Sequence, residues 1–227
     1  MYGRYPEKTD RSEMTHSVIL FFATFSAAAL GVMLPGLVNM TAAKTSAQKG
    51  KTNGMLFSLG ASLIVIGQAY IGVLASKYLY RNPHIIDLLL KVAVAVFAFF
   101  AIYFFVTGKR RKEKKMRTVY VVSKRKSFFK GVLLSSVNLL PIPYFCGLNA
   151  AWNVSGWIKF QLADILIFIM AAGMGTFATL YMYVAYFNKL ENKTGRFTKY
   201  SDYILSGLML VLVIITLIRI FYGRAVA

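Results

Sequence analysis

The apolar residues of this 227-residue chain come in blocks, not in stripes. Runs such as SVILFFATFSAAALGVMLPGLV (17–38) and YILSGLMLVLVIITLI (203–218) show no polar face. A helix needs about 20 apolar residues to cross a hydrocarbon core about 30 Å thick. Six segments reach that length, at about 17–39, 54–76, 85–107, 128–151, 160–187 and 202–222. They leave no gap long enough to fold a soluble domain. The pattern predicts an all-α, polytopic membrane protein with six transmembrane helices, a single integral membrane domain over residues 1–227. Composition agrees, since 57% of the residues are hydrophobic against about 45–50% in soluble proteins.

Charge sets the expected orientation. The net charge is +19, and eleven of the 27 basic residues lie between Lys109 and Lys130. A basic run between two spans marks a cytosolic loop, and contact with anionic lipid headgroups through 109–130 is a compatible role. Nucleic acid is not the expected partner. With the 108–127 loop inside, the 40–53 and 188–201 loops also fall inside. Eighteen basic residues then face the cytosol and eight the other side. Both termini are predicted outside. The first sixteen residues carry three acids and three bases, a poor signal-peptide start, so a cleaved leader is not expected.

The basic loop separates two halves, 17–107 and 128–223, of three helices each. An odd number of spans per half makes the second half start from the opposite face, which is the geometry of two inverted three-helix repeats. The stretches GVMLPGLVN (31–39) and GVLLSSVNLLPIP (131–143) each fall in the first helix of a half. Both interrupt an apolar run with proline and asparagine. Proline removes a backbone donor and clashes with the preceding turn. In lipid the freed carbonyls need partners from side chains, water or a bound solute. Pro35, Gly36 and Asn39 in one half, and Asn138, Pro141 and Pro143 in the other, are therefore candidate solute-binding residues. Counting about 1.5 Å per residue puts Pro35 near the cytosolic side and Asn138 nearer the midplane. Gln68, in the second helix, is a further lining candidate.

Ionisable groups inside spans mark functional sites by default. Asp164, about one turn into the fifth helix, is the first candidate for coupling to a proton or cation, and Asp87 the second. Lys91 lies one turn after Asp87 and is a candidate partner for it. Gly54, Gly60, Gly67, Gly72, Gly173 and Gly175 fit close helix packing. The lone Cys146 excludes an intrachain disulfide and a cysteine-cluster metal site. No nucleotide-binding loop, nucleophile elbow or metal-ligand cluster appears. No cofactor, metal or enzymatic activity is expected, and the energy for any transport must come from a gradient or exchange.

The segment LPGLVNMTAAKTSAQKGKTNGMLFSLGASL (34–63) resembles the opening motif of the LysE/RhtB family of amino-acid exporters. Pro35, Gly36 and Asn39 match its Pro-Gly-Pro-Asn, and Gly50, Gly54 and Gly60 its spaced glycines. FFKGVLLSSVNLLPIPYF (128–145) is similar to the family's second signature, Phe-x-x-Gly followed by Asn-Pro-Lys, through Phe128 or Phe129, Gly131, Asn138 and Pro141. Here the second proline of the first motif is absent, and the second motif is stretched and lacks its lysine. The resemblance implies a secondary transporter in a bacterial cytoplasmic (inner) membrane. It would export amino acids or similar small polar solutes, with proton coupling and possible homo-oligomers. The competing expectations are a cation exporter or channel of the wider superfamily, and a non-transporting membrane scaffold.

Overall fold

The computed structural model describes residues 7–33, 36–82 and 123–190, with scattered positions between 85 and 106 and between 203 and 221. Six helices are fully bounded: α1 (Glu7–Met33), α2 (Leu37–Lys49), α3 (Lys51–Arg81), α4 (Lys124–Val137), α5 (Pro141–Val154) and α6 (Leu162–Leu190). The described positions in 85–106 and 203–221 are also helical, and no described residue is in a strand. Among the described residues, α1 from Glu13, α3 and α6 are each long and apolar enough to span a membrane. The pair α4 and α5 meets the same test together, with a 67° bend between them. The expected spans at 85–107 and 202–222 lie partly outside the described residues, as does most of the 108–127 loop.

Two sequence expectations change. The 40–53 stretch, read as a loop, is helical from Leu37 to Lys49 and again from Lys51. Its sequence LVNMTAAKTSAQK is too polar to register as a span, yet Ala, Met, Gln and Lys are good helix formers. Only Gly50 separates α2 from α3, at φ +88°, in the left-handed region that favours glycine. The 128–151 span, read as one helix, is two. Asn138 to Leu140 break it, and Pro141 opens α5 within the first turn, where a missing N–H costs nothing.

The chain forms two compact units. The first holds residues 1–77 and 119–187, and the second 78–118 and 188–227. Each sequence half contributes to both. In the second unit, Ser206 donates to the Ala101 carbonyl at 2.9 Å. Phe105 and Tyr203 meet edge to face at 6.0 Å. Lys91 is exposed.

The first unit is built around two parallel helix crossings. In one, α3 lies against α4: Asn53 meets Ser127, Ser135 donates to the Ala61 carbonyl, and Gln68 reaches Asn138. In the other, α6 lies against α1: Asp164 meets His16, Thr179 donates to the Ala29 carbonyl, and Tyr183 reaches Met33. Each crossing is tightest at a glycine. A Cβ on Gly60 would strike the Phe128 carbonyl, and one on Gly175 would strike the Phe25 carbonyl. Gly131 has no more room, facing the Phe57 carbonyl. Helices in lipid associate by such backbone approach, because apolar burial gives no drive there. Gly54, Gly72 and Gly173 also sit at close contacts, whereas Gly67 meets nothing within 4 Å. The helix-packing expectation therefore fails for Gly67 alone among the six.

Between the crossings, α3 and α6 run antiparallel, with Gly54 near Val184 and Ile66 against Gly173. The larger core gathers Leu20 and Ala28 of α1, Val65, Ala69 and Val73 of α3, Phe145 of α5, and Phe168 and Ala172 of α6. A smaller one holds Ala42, Phe57, Ala61, Leu180 and Val184. Outside these, Leu162, Leu166, Met170 and Met174 leave an apolar stripe exposed at every fourth residue of α6. That spacing is one helix face, and its chemistry suits lipid. Gly131→Ala is expected to force α3 and α4 apart and cost about 1–3 kcal/mol. Gly147→Ala, with open space around it, should stay within about 0.5 kcal/mol of the parent. Melting midpoints of the detergent-purified proteins check both.

Candidate functional site

A helix end buried in an apolar surrounding leaves carbonyls that must find donors. The α4–α5 break meets this need with Gln68. Its Nε2 donates to the Ser135 carbonyl at 3.1 Å and to the Asn138 carbonyl at 2.8 Å. Asn138 itself terminates α4, its own N–H bonded to the Ser135 carbonyl. With both donors engaged, the Gln68 Oε1 acceptor is buried and has no partner among the described atoms. The side chain that closes the break therefore keeps one buried acceptor unused.

The α1–α2 break is closed from two sides. Asn39 Nδ2, on α2, donates back to the Val32 carbonyl. The Tyr183 hydroxyl, on α6, donates to the Met33 carbonyl at 2.7 Å and engages the Asn39 side chain as well. Tyr144 of α5 reaches the same helix at the Ala27 carbonyl, 2.6 Å away. Gly36 caps α2 in extended conformation.

The two breaks are closed by matching devices. Gln68 follows the tight glycine Gly60 by eight residues, and Tyr183 follows Gly175 by eight. Phe128, opposite Gly60, precedes Asn138 by ten residues, as Phe25, opposite Gly175, precedes Pro35. The breaks do not meet in space. Along α3 the first lies at the level of Gly54 and the second at Gln68, about four turns or 20 Å apart. The structure thus brings Gln68 together with Asn138, and Asn39 together with the end of α1, but not Asn39 with Asn138. Pro141 is half-buried beside the second break, and Pro143 is exposed. Pro35 and Asp87 lie outside the described residues.

Asp164 occupies the first turn of α6, where the helix dipole favours a carboxylate. It is 5% exposed. One oxygen accepts the Lys159 backbone N–H at 2.8 Å, and the other stands 3.5 Å from His16 Nε2 on α1. His16, Tyr183 and Asn149 are the side chains that sequence reasoning did not connect to a site. Asn149 is fully buried on α5, with neither amide atom partnered among the described residues. It shares with Asn39 and Asn138 an amide inside an apolar run, but not the adjacent proline that marked those two. No such signal marks Tyr183, because its partner is 150 residues away.

At the other end, basic side chains collect. Lys49, at the end of α2, is held below the ordinary lysine range by burial and by Lys130 on α4. Lys51 stacks over the Tyr181 ring at 5.3 Å. Lys124 and Arg125 line an open groove with Leu56, Phe128 and Phe129.

Several helices long and apolar enough to cross a membrane, with exposed apolar stripes, fit a multi-pass membrane protein. The family profile of the LysE type translocators matches residues 29–219, so the chain belongs to that family. It is accordingly a membrane transporter for a small-molecule solute, and transport rather than catalysis is the family's activity. Comparison with curated proteins and with solved structures gives no match. Gln68→Leu, which strands two carbonyls, is expected to lower stability by about 1–3 kcal/mol. Tyr183→Phe, whose bond is exposed, should cost about half as much, and thermal melts of the two purified variants check the order.

Proposed function

We propose that the chain exports amino acids or similar small polar solutes across a bacterial cytoplasmic membrane, coupled to protons. The observation that carries this reading is the unpartnered Gln68 Oε1 at the α4–α5 break. A buried acceptor with spare capacity is a site for an ammonium group, and the half-buried Asn138 amide beside it can donate to a carboxylate. Asn138, Pro141, Pro143 and Gln68 form the solute site at this break. Pro35, Gly36 and Asn39 form a second station toward the cytosol. The solute visits the two in turn, since one small molecule cannot bridge about 20 Å.

Two inverted three-helix repeats underlie this arrangement. The matched glycine crossings, and the eight- and ten-residue spacings to the breaks, support the repeat. Both termini lie outside. The gathering of Lys49, Lys51, Lys124, Arg125 and Lys130 at the end opposite Asp164 supports that orientation, because cytosolic ends collect lysine and arginine. The groove beside Lys124 and Arg125 is where anionic lipid headgroups bind. The protein works as a monomer or as a homo-oligomer built on its exposed apolar faces.

Asp164 carries the coupling proton, with His16 as its exchange partner 3.5 Å away. Asp87 is the second coupling candidate. Cation export is the weaker reading. Hard cations take six or more oxygen ligands, and this reading is supported by only two acids in the spans, Asp87 and Asp164.

Efflux from cells loaded with mixed dipeptides, with and without the protein, tests the function. Faster release of one or a few amino acids is expected. No difference for any, with the protein present in the membrane, overturns it. Asp164→Asn, which keeps the shape but cannot exchange a proton, is expected to slow export about tenfold or more and flatten its dependence on external pH. An unchanged pH profile of efflux removes Asp164 from the coupling role.

A further inference from the structure

Asn149 has no structural employment. Its residue is 0% exposed, and both Nδ2 and Oδ1 lack partners among the described residues. Buried amides are almost always hydrogen-bonded. Serine and threonine hydroxyls inside helices can turn back on their own carbonyls, as Ser58 does to Gly54. A fully buried carboxamide has two donors and an acceptor to satisfy, and no described residue satisfies those of Asn149.

Its surroundings say where that partner comes from. Phe145, one turn earlier, packs on Phe168 of α6 at 6.1 Å. Trp152, one turn later on the same face, donates to Thr24 of α1 at 3.1 Å. Gly72 of α3 lies against the α5 backbone at Ile142 to Cys146. The face of α5 that carries Asn149 therefore turns toward α1, α3 and α6. Along the chain, α5 starts at the break held by Gln68 and leads to the loop whose Lys159 amide binds Asp164. Asn149 lies between the proposed solute site and the proposed proton site.

We propose that Asn149 is a solute-binding residue on the outward route, recognising an α-amino acid by its zwitterion. A single carboxamide presents a donor and an acceptor side by side. They match the carboxylate and the ammonium borne on one α-carbon, Nδ2 donating to the first and Oδ1 accepting from the second. This rests on the amino-acid export reading.

The test uses Asn149→Leu, an apolar residue of similar size. Removing both unsatisfied groups at once is neutral or stabilising for a fold. The variant should therefore reach the membrane at parental levels and melt at the same temperature or higher. Amino-acid efflux from dipeptide-loaded cells should fall at least tenfold. Efflux within twofold of the parent overturns the proposal and leaves Asn149 as a residue that binds water alone. If the leucine variant does not accumulate, Asn149→Ser, smaller and still polar, replaces it. A raised half-saturating internal concentration is then expected, and a parental value overturns the proposal. Failure of the export reading itself shows in the parent protein, as no release of any amino acid, and takes this assignment with it.

Discussion

The crossings of the first unit follow from one constraint: an interrupted helix in lipid must have its open carbonyls closed by side chains. Water is not there to do it. Gln68 closes one interruption with a single bifurcated amide, and Asn39 with Tyr183 closes the other. To reach those carbonyls, α3 must lie against α4 and α6 against α1. That proximity is possible only because Gly60, Gly131 and Gly175 carry no Cβ. The glycines, the caps and the breaks are therefore one device. Changing any of the three parts shifts the register that the others need.

This device also locates chemistry. A capping amide spends its nitrogen on the backbone and keeps an oxygen in reserve. At Gln68 that oxygen remains buried and unmatched, so the helix cap and the candidate solute ligand are the same side chain. Energetically the arrangement is economical, since a polar group already needed for the fold supplies part of the site. The pair of His16 and Asp164 stands apart from it, near the opposite end of α1 from the first break.

Much of this was legible in the sequence. Long apolar runs give α1, α3 and α6 directly, because nothing but a span needs about 20 such residues. The breaks were legible too, since proline and asparagine are conspicuous in such runs. Their consequences were not. Segment 37–49 is helical through good helix formers and the packing of Asn39, Ala42, Ala43 and Thr45, and a hydropathy reading cannot see it. Gln68 was visible as a polar residue in a span, but not as a cap, because its partners lie 67 and 70 residues away. Tyr183 was invisible for the same reason. Tyrosine is common in spans, and only the fold shows which carbonyl it meets. Asn149 shows the opposite failure: the signal was present, in an amide between Leu148 and Ala150, but it does not sit beside a proline.

The long reach of these caps bears on how the protein is made. Tyr183 leaves the ribosome 150 residues after Met33. At about 5–20 residues per second, the end of α1 waits roughly 8–30 s for its donor. Thr24 and Ala29 wait for partners 128 and 150 residues downstream. The first half of the chain thus enters the membrane with its interruption unclosed by α6, holding only the local Asn39 contact. Its second interruption is treated differently, because Gln68 is already in place when Asn138 arrives. Biosynthesis therefore runs from a provisional first half to a second half that is capped at birth, and the closing of α6 onto α1 is the step that seals the first interruption.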